Sequence, residues 1–196
     1  MVGLAIGVTI AAAVLLLIGG IVIYNQFIGL RNRAREAWAG IDVQLKRRHD
    51  LVANLVATVK GYAAHERQAL EEVTRYRSQA IGAQGPRDQA QAQERLQGAV
   101  KLLFAVAEAY PDLKADQQFL SLQKNLTEIE DALQYARRYY NGVVRDFNNK
   151  VFMFPSNLIA GVSGFRKLEY FEAKPEDRVT PDVGAGFSRP PTGTRT

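Results

Sequence analysis

Apolar residues dominate the start of the chain, before any charged side chain occurs. From Val2 to Ile23 only Thr9 is polar, and the first charged residue is Arg31. A helix needs about 20 apolar residues to cross a bilayer, and this run exceeds that length. A cleaved signal peptide would begin with basic residues and carry a shorter apolar stretch. The pattern therefore predicts an uncleaved transmembrane anchor over residues 1–23.

Helical spacing of apolar residues continues from Tyr24 to about Ala80, with no proline in between. Apolar positions three or four residues apart indicate an amphipathic helix with one apolar stripe. We therefore expect one very long helix, which the sequence GAQGP at Gly82–Pro86 ends. The stripe consists of Phe27, Leu30, Ala34, Trp38, Ile41, Leu45, Val52, Leu55, Val59, Tyr62, Leu70 and Val73.

Two more long helices follow in the pattern. The second is predicted from about Asp88 to Tyr110, and the third from the N-cap Asp116 to Phe154. The sequence SNLIAGVSGF after Pro155 can form one more short helix. No strand pattern occurs, and short links favour antiparallel neighbours. The predicted fold is therefore all-α: an N-terminal transmembrane helix, then an antiparallel up-down helical bundle with a very long first helix.

Composition divides the chain into three predicted parts. The anchor at 1–23 is followed by the helical bundle at 24–172. From residue 173 the chain is rich in proline, glycine and threonine and has little apolar surface to bury. Residues 173–196 are therefore expected to form a flexible C-terminal tail.

Basic residues after the apolar run predict the orientation of the anchor. Arg31, Arg33 and Arg35 follow the span closely, and no Lys or Arg precedes it. The positive-inside rule then places the N-terminus outside and residues 31–196 in the cytoplasm, with the three arginines near the lipid headgroups. The formal net charge of +5 is mild, and it does not distinguish a lipid partner from a nucleic-acid partner.

Residues for catalysis or metal binding are scarce. The chain has no cysteine, which excludes thiolate zinc sites and cysteine nucleophiles. His49 and His65 are 16 residues apart, which is about 24 Å along one helix, so they cannot share a metal ion there. No nucleophile elbow, Ser-x-x-Lys motif or phosphate-binding loop occurs. We therefore predict no catalytic, cofactor-binding or metal-binding residue, and a protein that is not an enzyme.

A nucleic-acid interface is also not expected. The basic stretches RNRAR and KRRH are interrupted by Glu36, Asp42 and Asp50. A nucleic-acid surface would present a continuous basic face with stacking aromatic rings, and Lys46 can pair with Asp50 four residues later on a helix surface.

Contacts between helices or between copies of the chain are predicted from two sets of residues. Gly3, Gly7 and Ala11 repeat every four residues and would let membrane spans approach closely. The first soluble helix, at about 55 residues, should also overhang its shorter partners and leave its stripe for neighbouring copies to cover. Arg48 and Glu66 fall on or beside that stripe and, if buried, need polar partners. The predicted subunit or bundle interface comprises Phe27, Leu30, Ala34, Trp38, Ile41, Leu45, Arg48 and Glu66.

Two longer blocks carry a family resemblance. LRNRAREAWAGIDVQLKRRHDLVANLVATVKGYAAHE at 30–66 and FLSLQKNLTEIEDALQYARRYYNGVVRDFNNKVFMFP at 119–155 closely resemble the LemA family signature, as does the later GFRKLEYFEA. The resemblance implies a bacterial inner-membrane protein with one N-terminal span and a helical-bundle domain. A relative in magnetotactic bacteria serves in forming an internal membrane compartment. Genes of the family often lie beside an HtpX-type membrane metalloprotease or a TPM-domain protein.

Two functional hypotheses follow. The first is a homo-oligomeric membrane scaffold without catalysis, whose partners are the lipid bilayer and further copies of itself. The alternative is an adaptor or regulator of a membrane protease of the HtpX type.

Overall fold

The computed structural model describes residues 1–172, and every regular element in that range is an α-helix. The helices are α1 Val2–Tyr62, α2 Arg67–Gly82, α3 Gly85–Ala107, α4 Pro111–Ala115, α5 Gln117–Phe152 and α6 Ser156–Ser163. The prediction of an all-α fold with a very long first helix is confirmed for these residues. The tail predicted at 173–196 lies outside the described part of the chain.

Helix α1 joins the predicted membrane span to the bundle without a break. It contains 61 residues, and within the described range it is the one helix long and apolar enough to cross a membrane. Its side chains are exposed from residue 2 to residue 19. From Phe27 onward, side chains at helical spacing are buried against the rest of the chain. The two predicted helices at this point are one element.

The expected single helix from Tyr24 to about Ala80 is wrong, because the chain turns between Tyr62 and Arg67. Gly61 weakens the helix locally by about 1 kcal/mol, but Ala63 and Ala64 favour helix, so local propensity alone does not explain the break. A straight helix would carry Leu70 beyond its partners, whereas the turn places it in the same core as Val59. Burial of such side chains contributes about 1.5–3 kcal/mol each, and this tertiary gain outweighs local propensity.

Helices α2 and α3 form a hairpin along α1. Arg77 of α2 donates from Nε to the carbonyl of His49 over 2.7 Å, which shows that α2 turns back beside α1. Helix α3 then returns, since Gln93 lies beside His49 and Tyr110 beside Glu66. The second helix was predicted at Asp88–Tyr110 and is observed from Gly85 to Ala107.

Helix α5 is the main partner of α1. Its predicted N-cap is confirmed, because Asp116 Oδ1 accepts from the Phe119 N–H over 2.8 Å. It ends at Phe152 rather than at Phe154. Ring contacts pair Phe27 with Phe147 and Trp38 with Tyr140. As residue numbers increase along α1, the numbers of the contacted residues on α5 decrease. These two helices therefore run in opposite directions.

The expected overhang of the first helix is not observed. Helix α5 and the segment at 165–171 run beside the part of α1 that was expected to project. Phe27 and Ile41 are fully buried within one chain, and Ala34 and Leu45 nearly so. The overhang was expected because the second predicted helix is much shorter than the first. The third predicted helix, observed as α5, is long enough to cover the stripe.

Candidate functional site at the membrane-proximal end

Aromatic rings close the bundle where α1 leaves the predicted membrane span. Phe165 stacks on Phe27, with centroids 4.7 Å apart, and meets the edge of Phe147 at 6.2 Å. Tyr24 lies 5.7 Å from Phe165. Such ring pairs contribute about 0.5–1.5 kcal/mol each beyond their buried area. The span therefore enters the bundle through a packed aromatic cluster of these four residues.

Phe165 reaches this cluster because of a glycine turn. Gly164 has φ +70°, a left-handed conformation that side chains other than glycine rarely adopt. The Phe165 N–H donates to the Ala160 carbonyl over 3.0 Å, as in a Schellman motif that ends a helix. The short helix α6 is thereby stopped, and the chain turns back towards α1.

Two asparagines of α5 bind the extended segment that follows. Asn148 Oδ1 accepts from the Leu168 N–H over 2.8 Å, and its Nδ2 donates to the Leu168 carbonyl over 3.0 Å. Asn141 binds the backbone of Phe171 in the same way, at 2.8 and 3.3 Å. Seven helical residues rise about 10.5 Å, and three extended residues span about 10 Å, so the two spacings match.

Tyr140 adds a third bond to the segment. Its hydroxyl donates to the Glu169 carbonyl over 2.9 Å. Burial raises the pKa of this hydroxyl to about 12, and the charge of Glu169 acts in the same direction. The phenol therefore stays protonated at neutral pH and remains a donor.

Basic side chains surround the end of the bundle nearest the span. The Arg31 guanidinium lies 5.9 Å from the Phe165 ring centroid, while Arg33 and Arg35 are exposed. Lys150 of α5 hydrogen-bonds Gln26 of α1. The three arginines follow the apolar run in sequence, and Lys150 lies near them from α5.

A buried ion pair lies in the middle of the bundle. Arg48 Nη1 lies 2.9 Å from Glu130 Oε2, and the two side chains are 5% and 20% exposed. Arg137 approaches the other Glu130 oxygen at 4.0 Å and stands over the Phe171 ring. Burial lowers the pKa of Arg48, against the opposing effect of Glu130. The carboxylate of Glu130 thus lies near two guanidinium groups, of which Arg48 is nearly fully buried and Arg137 is partly exposed.

His49 lies next to this pair and is also buried. Its Nε2 lies 2.9 Å from the Gln93 side-chain nitrogen, which is a donor, so neutral His49 accepts there. Burial lowers the pKa of His49 to about 4, with Arg77 and Arg48 adding to the effect. We refer to Arg48, His49, Gln93, Glu130 and Arg137 as the polar layer.

The remaining predicted residues take different places. Glu66 Oε1 accepts from the Tyr110 hydroxyl over 2.9 Å, so Glu66, like Arg48, has a polar contact within the chain. Leu30 and Trp38 are partly buried against the core. Gly3, Gly7 and Ala11 are exposed, and no other part of the described chain lies near the glycines.

No metal centre forms in the described range. His65 is exposed in the turn before α2, far along α1 from the polar layer. Over residues 1–172, no group of three or more His, Asp or Glu side chains comes together in a way that could hold an ion. The polar layer is built from one acid, two guanidinium groups, an imidazole and an amide.

The sequence did not identify the roles of Asn141 and Asn148, which bind the extended segment, or of Glu130, which pairs with Arg48. The seven-residue separation of the two asparagines, on the edge of the α5 stripe, was the available signal. What the pattern could not show is the extended segment that they bind, because an extended chain without partner strands has no periodicity of its own.

Comparison with known proteins gives a consistent set of relatives. The LemA family model matches residues 37–184. Magnetosome proteins MamQ 1 and MamQ 2 of Paramagnetospirillum magneticum are each 26% identical over 178 residues, covering 78% of this chain and 65% of the relative. Protein LemA of Metamycoplasma hominis is 26% identical over 163 residues, covering 81% of this chain and 73% of the relative. The chain thus spans about 65% of the length of the Paramagnetospirillum proteins.

Proposed function

Since this chain belongs to the LemA family, we propose that it is a membrane-anchored scaffold without catalysis, whose copies associate and organise or shape the bacterial inner membrane. The observation that carries the proposal is the continuity of α1 from Val2 to Tyr62. At 1.5 Å per residue this helix is a rod of about 90 Å. Its first third spans the bilayer and the remainder forms a wall of the bundle, so the membrane anchor sets the direction of the bundle.

The basic end of the bundle supports a defined orientation. Arg31, Arg33 and Lys150 lie where the apolar run gives way to polar residues. Under the positive-inside rule this end faces the cytoplasmic surface, which also carries anionic lipid headgroups. The bundle is then cytoplasmic and the N-terminus lies outside.

Association between copies is assigned to the span. Its side chains are exposed along residues 2–19, and Gly3, Gly7 and Ala11 lie on one face of the helix. Small residues let membrane helices approach closely where the bilayer supplies no hydrophobic force between them. The apolar stripe of the bundle no longer supports this contact, because it is buried within one chain.

The relatives support a role at membranes. The MamQ proteins of Paramagnetospirillum magneticum and of Magnetospirillum gryphiswaldense are magnetosome proteins. They are similar to this chain over most of its length. A protein that holds a helical bundle at a fixed angle to the bilayer suits the building of a membrane compartment.

Particle mass in mild detergent tests the proposal. We expect the unmodified chain to form a homo-oligomer at micromolar concentration, and Gly7→Leu to lower its mass. Ala5→Leu is the matched control, because residue 5 lies about 160° around the helix from residue 7. A monomeric unmodified chain would contradict the scaffold and favour the adaptor, which requires a partner such as a membrane metalloprotease or a TPM-domain protein.

A further inference from the structure

The end of α5 and the whole of α6 lie beside the membrane span, not only beside the soluble bundle. The Ile159 Cδ1 atom is 3.6 Å from the position that a Cβ atom on Gly20 would occupy. Gly20 lies three residues before Ile23, the end of the apolar run, so it is about 5 Å inside that end. We propose that residues 151–165 enter the leaflet that α1 crosses and bind lipid acyl chains.

Large apolar side chains point away from the protein throughout this segment. Val162 is 92% exposed, Phe154 77%, Phe152 71%, Met153 62% and Leu158 60%. A contiguous apolar surface of this kind marks an interaction site. The position of this surface indicates which molecules cover it. Once the span is in a bilayer, α1 at the level of Gly20 lies among lipid acyl chains, and the neighbouring segment lies at the same level.

Charge delimits the same segment. From Val151 to Phe165 the chain has no Asp, Glu, Lys, Arg or His, whereas Lys150 precedes the segment and Arg166 and Lys167 follow it. Arg166 and Lys167 are exposed. Cationic side chains next to a buried apolar face are typical of helices that lie in the membrane interface, about 5–10 Å deep. The segment repeats, on a smaller scale, the pattern of the span and its arginines.

The backbone of the elbow between α5 and α6 is suited to a site without water. An unpaired backbone group in hydrocarbon costs several kcal/mol. Here the Ser156 hydroxyl reaches the carbonyl oxygens of Lys150 and Met153, at 2.6 and 2.8 Å. The Asn157 and Leu158 N–H groups donate to Met153 and Pro155. The Ser156 hydroxyl and these two backbone N–H groups are therefore bonded within the protein.

The depth of the segment is set by the fold at both ends. Lys150 is tied to Gln26 of α1, and Phe165 is held in the aromatic cluster with Phe27. Since α1 is unbroken here, the segment cannot leave the leaflet while the span stays in it. This inference requires the span in a bilayer but does not depend on association between copies.

Single-cysteine labelling tests the inference, and the chain is suited to it because it contains no cysteine. The full-length protein, carrying an environment-sensitive fluorophore at Leu158→Cys or Val162→Cys, is reconstituted in phosphatidylcholine vesicles. Some of these vesicles contain lipids brominated in the upper part of the acyl chains. Val162 is almost fully exposed and Leu158 is 60% exposed, so substitution at either site removes little packing. We expect brominated lipid to quench both labels as strongly as a label at Leu17→Cys, and aqueous iodide to leave them unquenched.

Control sites separate the possible outcomes. A label at Tyr135→Cys, exposed on α5 away from the span, should be quenched by iodide and not by brominated lipid. If Val162 behaves like Tyr135 while Leu17 is quenched by lipid, the inference is wrong and the anchor stands. If neither brominated lipid nor iodide reaches Val162, a second copy covers the segment, and the inference is wrong as well. If Leu17 also escapes brominated lipid, the anchor itself is contradicted, and the inference with it.

Discussion

The two halves of the bundle, on either side of the polar layer, are held together in different ways. We call α2, α4, the part of α3 that follows Gln93 and the parts of α1 and α5 around them the distal half. Its core is almost wholly aliphatic, and α2 and α3 cover α1 and α5 there. The fully buried side chains of this core include Val52, Leu55, Val59, Leu96, Leu103 and Leu113.

The proximal half contains α1 and α5 around the two smaller cores, the start of α3 with Ala90, α6 and the segment at 165–172. Its cores combine aliphatic side chains with six aromatic rings: Phe27, Phe147, Tyr140, Phe171, Trp38 and Phe165. Here an extended chain takes the place that helices fill in the distal half. A helix bonds its own backbone, but an extended chain does not. The difference explains why Asn141 and Asn148 are needed only here.

The surfaces differ in the same sense. Exposed apolar side chains in the distal half, such as Ile81, Leu102 and Leu120, lie on different helices. The proximal half also has scattered ones, such as Val43 and Tyr139, but at the end of α5 and along α6 several follow one another. Scattered apolar residues are ordinary on soluble surfaces. Within residues 1–172, the run of exposed apolar side chains that we propose to bind lipid belongs to the proximal half.

The largest expected effect comes from breaking the boundary between the halves. Glu130→Ala leaves the guanidinium of Arg48 buried without its carboxylate. Removing one partner of a buried pair costs about 3–5 kcal/mol, because the other charge stays desolvated. We expect the free energy of unfolding to fall by about 3 kcal/mol, measured by denaturant unfolding of the full-length protein in mild detergent.

Glu128→Ala is the matched control on the same helix. Glu128 is 59% exposed and lies 4.0 Å from Lys124, and such surface pairs contribute about 0.3–0.5 kcal/mol. If Glu130→Ala cost no more than this control, Arg48 would have another route to charge compensation, and the boundary would not couple the halves.

A smaller and more local effect is expected from Asn148→Ala. The substitution removes both hydrogen bonds to Leu168 and leaves its backbone groups without those partners. Two such losses correspond to about 2 kcal/mol, hence to roughly 30-fold faster hydrogen exchange in the segment at 165–172. Exchange in the part of α3 that follows Gln93 should stay unchanged, because the distal half does not use these bonds.

The neighbouring Asn149→Ala provides the control. Its side chain is exposed, and exchange at 165–172 should not respond to its loss. Equal acceleration of exchange in α3 and in the segment would mean that the two halves open together. It would contradict the view that they are stabilised separately.

Much of the fold could be predicted from periodicity, for a physical reason. The stripe from Phe27 to Val59 is buried as its spacing indicates, and the Asp116 cap forms where a short polar side chain precedes an apolar run. These rules are local, because they depend only on residues that are close together in the sequence. Arg48 and Glu66 were likewise expected to have polar partners, since a charge on an apolar stripe requires one.

The remaining features depend on distant parts of the chain. The turn at 63–66 is not fixed by Gly61 alone, because the return of α2 buries more side chains than a straight helix would. Glu130 was visible only as one of several acids on α5, and its role depends on Arg48 lying opposite. The apolar run at 151–165 resembled an ordinary helix end until its contact with Gly20 placed it beside the span.

The smallest of these effects is expected from pH, through His49. Its pKa is lowered to about 4 in the folded chain, first by burial and then by Arg77 and Arg48, against about 6.5 when unfolded. Between these values the unfolded chain binds more protons than the folded one, so stability falls as the pH is lowered. A protonated imidazole would also lose the acceptor that Gln93 uses.

We expect about 1–2 kcal/mol less stability at pH 5 than at pH 7, after allowance for partial solvent screening of the site. His49→Gln removes the titrating group while keeping a side chain that can bond Gln93, and should flatten this part of the profile. His65→Gln, at the exposed turn, should leave the slope intact. Denaturant midpoints of the unmodified protein and the two variants, compared at pH 5 and pH 7 in mild detergent, measure this pH dependence of stability. A slope that persists in His49→Gln would assign the pH dependence to carboxylates instead, and the polar layer would then join the two halves without sensing protons.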